Sequence, residues 1–335
     1  MLTDNLPSRR RFLGISAAAG GLALLPLRGW AKAEARMVEW QGVALGANVS
    51  LRIHHRDTGI ATEALRQVLQ DLRRLEAVFS LYREDSSLRQ LNRQGSLVAP
   101  APELVDLLLA SRQYAALTDG AFDPTIQPLW QLYSQHFTER GEADPRGPAQ
   151  EDIAAALQLV GLENVLIDRD RIAFRRRGMS ISLNGIAQGY VTDRAIERLR
   201  RHGIEHTLVD MGESRALGHH PSGRPWQAMI ADPLQPGRDG LIVPLVDMSL
   251  ATSGGYGFQF DPAGHFHHIF DPRSGRSPQR YRSVSVMMPT ATTADALSTA
   301  FSLMAPEDIE AVLRRLGTGR AYLIAPDGQS STIQS

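Results

Sequence analysis

A chain of 335 residues with 43% hydrophobic and 21% charged side chains can bury a sizeable core and is not a disordered protein. Formal net charge is zero, yet Arg9, Arg10, Arg11, Arg28 and Lys32 face only Asp4 in the first 33 residues; the remainder carries about −4 and no basic stripe suited to nucleic acid. Cysteine is absent and Lys32 is the only lysine, which excludes disulfides, thiolate nucleophiles and thiolate metal sites, and, once the first segment is removed, Schiff-base and P-loop lysine chemistry.

In chain order, the first feature is an address. Ser8-Arg9-Arg10-Arg11-Phe12-Leu13 is followed by the small, apolar run Ile15–Leu27 and by Ala31-Lys32-Ala33, a small-x-small site that predicts cutting before Glu34. The run is too short for a comfortable membrane span. The segment resembles a twin-arginine export signal; an uncleaved N-terminal anchor is the other reading. With no cysteine after the run, a lipid anchor is excluded. The expectation is a signal peptide over 1–33 and a soluble periplasmic chain over 34–335, as one domain or two fused lobes.

Residues 37–53 read as a strand pair broken at Gly46. Ile60, Ala64, Leu65, Val68, Leu72, Leu75 and Val78 recur with helical period, and Pro102–Leu117 predicts a second helix with proline at its start. Residues 139–149, rich in Gly, Pro and charge, predict a surface loop. Strands are expected at 164–168, 171–174 and 179–183, then a helix over Gly185–Arg201. Further strands are expected at Thr207–Asp210, Trp226–Ala231, Leu241–Val246, Ser249–Ser253, Phe258–Phe260 and Val284–Met288, with helices at 293–304 and 306–316 and a last strand at 320–325. There is no regular βαβ alternation, so the expected class is α+β, with mixed, mainly antiparallel strands and packed helices.

Four polar, glycine-punctuated segments stand out. In Thr118-Asp119-Gly120-Ala121-Phe122-Asp123-Pro124-Thr125, Gly120 permits a tight turn and Pro124 opens a helix whose free N–H groups suit an anion; an ordinary helix–helix turn is the plainer reading. Ser182-Leu183-Asn184-Gly185-Ile186-Ala187-Gln188-Gly189-Tyr190 is a glycine-spaced turn into a helix, where a ligand can approach the backbone closely. His265-Phe266-His267-His268-Ile269-Phe270 reads as a strand. Alternation would send His265 and His267 to one face and His268 to the other, against a three-histidine zinc site and in favour of one histidine as base. Asp295 and Thr299, four apart, share one helix face and supply two oxygens of the kind magnesium takes; the alternative is a capping aspartate and a threonine bonded back to a carbonyl.

In this order the segments resemble the ApbE family of FAD:protein FMN transferases, over about Val43 to Asp327. Leu45-Gly46 is similar to the family's Met-Gly-Thr entrance, and Ser80-Leu81-Tyr82, Ser86-Ser87-Leu88 and Leu91-Asn92 to its Ser-x-Tyr…Leu-Asn run. Gly120–Thr125 and Ala294–Ala300 match in full, and His267–Gly275 resembles His-His-Ile-Ile-Asp-Pro-x-x-Gly. Val209–Glu213 and Ala251–Gly254 fit the remaining blocks. The resemblance implies a T-fold-related architecture and an FAD site lined by Leu45, Tyr82, Ala121, Phe122, Asp123, Ser182, Gln188 and Ile269. It implies Mg²⁺ held by the Gly185 carbonyl, Asp295 and Thr299, and His268 as the base that deprotonates a threonine or serine of an acceptor flavoprotein, with AMP released. It also implies an acceptor such as a respiratory membrane protein of nitrous-oxide reduction.

The chain departs from the family at Ser182, Asn184 and Gln188, where Asp-Leu-Gly-x-Ile-Ala-Lys-Gly-Tyr is usual, and at Gly212-Glu213-Ser214, where Gly-Gly-Glu is usual. A glutamine at 188 places no positive charge near the flavin. Two other functions share these residues: a flavin carrier that holds FAD without transfer, and a magnesium-dependent FAD pyrophosphatase.

Overall fold

The chain turns back on itself at Leu45-Gly46, where both residues have positive φ (49° and 83°), the conformation a two-residue hairpin needs to match strand twist. The hairpin joins β1 (Arg36–Ala44) to β2 (Ala47–His55) and begins the structure, a computed structural model describing residues 36–140, 146–231 and 240–335. The expected export segment lies outside these residues, as do residues 141–145 of the expected 139–149 loop. No helix among the described residues is long and apolar enough to cross a membrane.

After the hairpin come α1 (Thr58–Phe79), α2 (Ser87–Gln94), β3 (Ser96–Val98) and α3 (Pro102–Leu117), then a 3-10 turn at Pro124–Ile126, α4 (Gln127–Arg140) and α5 (Gln150–Leu157). The short β4 (Val165–Ile167) and β5 (Arg171–Phe174) precede α6 (Ala187–Arg201). Then follow β6 (His206–Asp210), β7 (Ser214–Leu217), β8 (Trp226–Ile230), β9 (Leu241–Leu245), β10 (Ser249–Ser253), β11 (Ser283–Met288), α7 (Ala291–Phe301), α8 (Pro306–Leu316), β12 (Arg320–Ile324) and β13 (Ser330–Gln334). Every strand pair described is antiparallel, in an eight-stranded sheet of order β1-β2-β6-β7-β10-β11-β12-β13, a three-stranded sheet β3-β5-β4 and the hairpin β8-β9. The fold is α+β, as the pattern predicts.

Helix α1 forms because Asp57 caps it, accepting from the Gly59 and Ile60 N–H groups, and because Ala61, Ala64, Val68, Leu72, Leu75 and Val78 fall on one face. That face joins α6, α7 and the large sheet in the main core, with Leu51, Ile53, Val209, Ala251, Val286, Leu297 and Phe301. Each large aliphatic buried there contributes about 1.5–3 kcal/mol. Because neighbours on a strand alternate in direction, Leu208, Ala216 and Leu250 point the other way, under Trp226, Ile230 and Leu245 of the β8-β9 hairpin. A third cluster joins Tyr133 and Phe137 of α4 to Phe260 and Phe270.

Three expected strands do not form, the histidine segment over 265–270 among them. Residues 179–183 run extended, but Ile181 gives both its backbone groups to the side-chain amide of Asn92 (2.8 Å each) and the Ser182 N–H goes to the Pro124 carbonyl (2.8 Å). The ladder is replaced by a side chain. Phe258–Phe260 is likewise no strand: it meets the histidine segment at an isolated bridge, Gln259 with His267, closed by the Phe260 N–H to the Phe266 carbonyl (2.8 Å) and the His268 N–H to the Phe258 carbonyl (3.1 Å).

Candidate functional site

Helices α6 and α7 build the most defined part of the site. Gly189 and Asp193 lie four apart on α6, and Asp295 and Thr299 four apart on α7, so each pair shares a face. A Cβ at Gly189 would stand 2.3 Å from the Ala291 carbonyl oxygen and 2.8 Å from Asp295 Cβ. Only glycine allows this approach, and through it the Gly189 N–H reaches Asp295 Oδ2 at 2.9 Å. One turn along, Asp193 pairs with Arg215 of β7 and accepts from the N–H groups of Ala291 (2.8 Å) and Thr292 (2.9 Å), fixing the start of α7. The cap of α7 is Thr290, whose hydroxyl accepts from the Thr293 N–H; Asp295 is therefore not a capping residue.

Asp295 is 3% exposed, and burial, with Asp193 adding to it, raises its carboxyl to about 7 against the opposing Gly189 hydrogen bond. Glu213, 5% exposed, lies close enough that burial and then the Asp295 charge push its carboxyl well above the usual range, and its Oε2 is a buried oxygen with no hydrogen bond. Burial also takes Asp210 to about 6. Facing Thr299 is Gly185, where a Cβ would stand 2.9 Å from the threonine oxygen. A buried carboxylate, a second orphaned carboxylate oxygen, a hydroxyl and an uncovered backbone make an oxygen-rich, electron-rich pocket. These residues fit a hard divalent cation. Among the described residues no group of three or more His, Cys, Asp or Glu could hold a metal, and the expected ligand set, with one carboxylate, makes no such group.

Gln188 lies beside this pocket with its side-chain amide packed on Gly212, where a Cβ would come within 2.9 Å. Ser182 accepts from the Asn184 N–H (3.3 Å), and the Asn184 side chain reaches the Tyr82 hydroxyl at 3.5 Å. Tyr82, 46% exposed, stands against the Leu45-Gly46 turn, 3.7 Å from where a Cβ on Gly46 would be. Leu45, Tyr82 and Ser182 thus lie together at the approach to the Gly185 turn, joined through Asn184, while Gln188 packs on Gly212.

The Gly120–Thr125 segment is built differently. Ala121 is half-buried, whereas the Phe122 ring lies in the main core edge-on to Tyr114 (6.2 Å between centroids). Both Asp123 oxygens are engaged, one by the Thr125 N–H and hydroxyl (2.7 and 2.6 Å) and the other by the Leu162 N–H (3.2 Å). Asp123 therefore ties this turn to residues 161–162. A cleft of about 620 Å³ opens beside Gly120 and Asp123, lined also by Arg112, Leu162 and Arg175, within the size range of ligand sites.

The histidine segment is not a strand, and its residues do not divide by parity. His265 is exposed beside Asp261, while His267 is buried: its Nδ1 accepts from the Ile269 N–H, so its Nε2 carries the proton given to the Pro278 carbonyl at 2.8 Å. Gly255 packs against that ring. Ile269 is buried. His268 is half-buried and donates from Nδ1 to the Phe258 carbonyl (3.2 Å), which leaves Nε2 as the free, basic nitrogen. Burial first, then the neighbouring His267, lower its pKa to about 4 against the Phe258 bond, so it is neutral at ordinary pH. Arg273, in the turn that follows, donates to both the carbonyl and carboxylate of Asp119 (2.6 and 2.5 Å) and joins this segment to the Gly120 turn.

The roles of Asn92, Asp193 and Gly189 have no short-range signal in the sequence. Each acts on a partner roughly ninety or more positions away.

The sequence profile of the ApbE family matches residues 45–324. A Treponema pallidum protein named FAD:protein FMN transferase is 31% identical over 283 residues, covering 79% of this chain and 77% of its own length. A Haemophilus influenzae protein of the same name is 27% identical over 310 residues, covering 87% and 86%. The crystal structure of the ApbE protein of Thermotoga maritima matches with a TM-score of 0.76 at 32% identity, over 89% of this chain and 97% of that one.

Proposed function

This chain belongs to the ApbE family and is an enzyme of the transferase class; on that premise we propose that it moves FMN from FAD onto a threonine or serine hydroxyl of an acceptor flavoprotein, releases AMP and holds Mg²⁺ at Gly185, Asp295 and Thr299. The observation that carries the reading is the convergence of a buried carboxylate, a hydroxyl and the Gly185 backbone on one oxygen-rich pocket. Bound there, Mg²⁺ would neutralise charge on the pyrophosphate.

The chain's own residues supply the rest. The Gly189 N–H and the α6–α7 contact hold the Asp295 carboxylate in one orientation. Leu45, Tyr82, Ser182 and Gln188 bind the flavin. His268, its tautomer set by the Phe258 carbonyl, takes the acceptor's proton at Nε2. The acceptor oxygen bonds to the FMN phosphorus as the bond from that phosphorus to the bridging oxygen breaks, and AMP leaves with that oxygen. The site of action is the periplasm, reached by twin-arginine export, and the acceptor is of the respiratory kind that the sequence resemblance implies.

The test incubates the chain from Glu34 onward with FAD, MgCl₂ and an acceptor domain carrying a threonine motif, followed by mass spectrometry. A gain of one FMN on the acceptor supports transfer. FMN and AMP without labelling would mean hydrolysis, and intact bound FAD alone a carrier. Asp295→Ala is expected to lower Mg²⁺-dependent transfer by roughly 100-fold or more; undiminished transfer would overturn the cation assignment.

A further inference from the structure

We propose that Ser253, acting with Ser298, is a positioning residue that keeps the Thr299 oxygen lone pairs free for the cation and thereby sets how tightly Mg²⁺ is held. The inference rests on the cation reading above. Ser253 ends β10, whose Ala251 packs with Ala294 and Leu297 of α7 in the main core, and its hydroxyl meets two α7 hydroxyls: Ser298 Oγ at 2.7 Å and Thr299 Oγ1 at 3.3 Å.

The direction of every proton in this chain follows from one end. Ser298 Oγ lies 2.9 Å from the Asp295 carbonyl oxygen, which can only accept, so the Ser298 proton is spent there. In the 2.7 Å contact Ser298 must then accept, and Ser253 donates. With the Ser253 proton spent, Thr299 must be the donor in the 3.3 Å contact. The Thr299 proton therefore points at Ser253, which leaves its lone pairs unspent; the same oxygen is the Thr299 atom nearest Gly185, 2.9 Å from where a Cβ there would stand. A helical threonine ordinarily bonds back to the carbonyl four residues earlier. Here that carbonyl is Asp295's, already engaged by Ser298, and Ser253 is the acceptor to which Thr299 is diverted. The last link is also the longest. A cation on the Thr299 oxygen polarises its O–H and makes it a better donor, so binding strengthens the link that orients it.

Removing the Ser253 hydroxyl leaves the Thr299 proton without this acceptor and free to rotate into the cation's place. The experiment is calorimetric titration of MgCl₂ into the chain saturated with FAD, for wild type, Ser253→Ala, Thr299→Ala and the double variant, with thermal melting of each without metal. Loss of a residue that orients a ligand costs roughly 10-fold in metal affinity. Ser253→Ala is expected to show that loss with its metal-free Tm unchanged, and to add nothing further in the Thr299→Ala background. Ser298→Ala, which frees the Ser253 proton to point back at Thr299, is expected to weaken Mg²⁺ as well and serves should Ser253→Ala fold poorly. Wild-type affinity in both serine variants, or an equal loss with and without Thr299, would overturn the proposal. Absence of Mg²⁺ binding by wild type would instead remove the cation reading itself.

Discussion

Around Asp295 the polar groups are set by two helices in direct contact, whereas around His268 the chain has no regular structure and is set by side-chain hydrogen bonds. On the first side, Gly189 brings α6 against the backbone of α7, and Asp193 and Arg215 pin the start of that helix. On the second, Asp261 accepts from the His265 and Phe266 N–H groups, Ser277 exchanges hydrogen bonds with the His267 backbone, and Asp271 accepts from the Arg273 N–H and the Ser274 hydroxyl. The close helix contact holds the buried Asp295 carboxylate in one orientation, as the proposed cation site requires. The proposed base sits instead on a loop, the kind of segment that commonly carries groups that meet a partner.

The comparison breaks first at His268. His268→Ala should lower transfer by about 10²- to 10⁴-fold while Mg²⁺ affinity and Tm stay near wild type; a parallel fall in Mg²⁺ affinity, measured by titration, would show that the two sides are not separately built. Gly189→Ala should do the reverse. Its Cβ meets the Ala291 carbonyl, so the helices must part at a cost of about 1–3 kcal/mol in denaturant unfolding, and Mg²⁺ binding weakens as Asp295 loses its hydrogen-bond donor. An unchanged unfolding midpoint would mean that the close approach does not constrain α7.

Acidity separates the two sides more gently. Burial favours the neutral form of both groups, which raises Asp295 to about 7 and lowers His268 to about 4. Mg²⁺ requires the carboxylate, so its affinity should fall as pH drops below about 7, approaching tenfold per unit, whereas the His268 base is lost only below about 4. Without metal the sign is opposite for stability: the raised Asp295 value favours the folded state at low pH, and that contribution is lost as pH rises through about 7. Activity lost at about pH 6 should therefore return with excess Mg²⁺. A loss that Mg²⁺ does not reverse would place the controlling titration on the histidine side.

How much was legible in the chain follows the same division. Helical spacing and a leading proline mark Pro102–Leu117 and Pro306–Leu316 to the residue, because these helices bury a continuous apolar face, and Ser249–Ser253 is matched to the residue as well. The short helix Ser87–Gln94 buries only Leu88 and Leu91, too few positions to show a period, and the exposed edge strand Ser330–Gln334 has no buried face. Residues 179–183 and 258–260 have the composition of strands, yet lack a partner strand in register.

The sequence by itself determined the α+β class, the absence of thiol chemistry and the pairing of Asp295 with Thr299 on one helical face, since each depends on residue type or on spacing within one element. Only the tertiary structure decided that Asp295 is buried and is not a helix cap, that Asp123 ties two turns together, and that His268 and not His267 has the free nitrogen. Those outcomes turn on which donor a side chain meets from a distant part of the chain, and hydrogen-bond partners brought together by packing have no local signature.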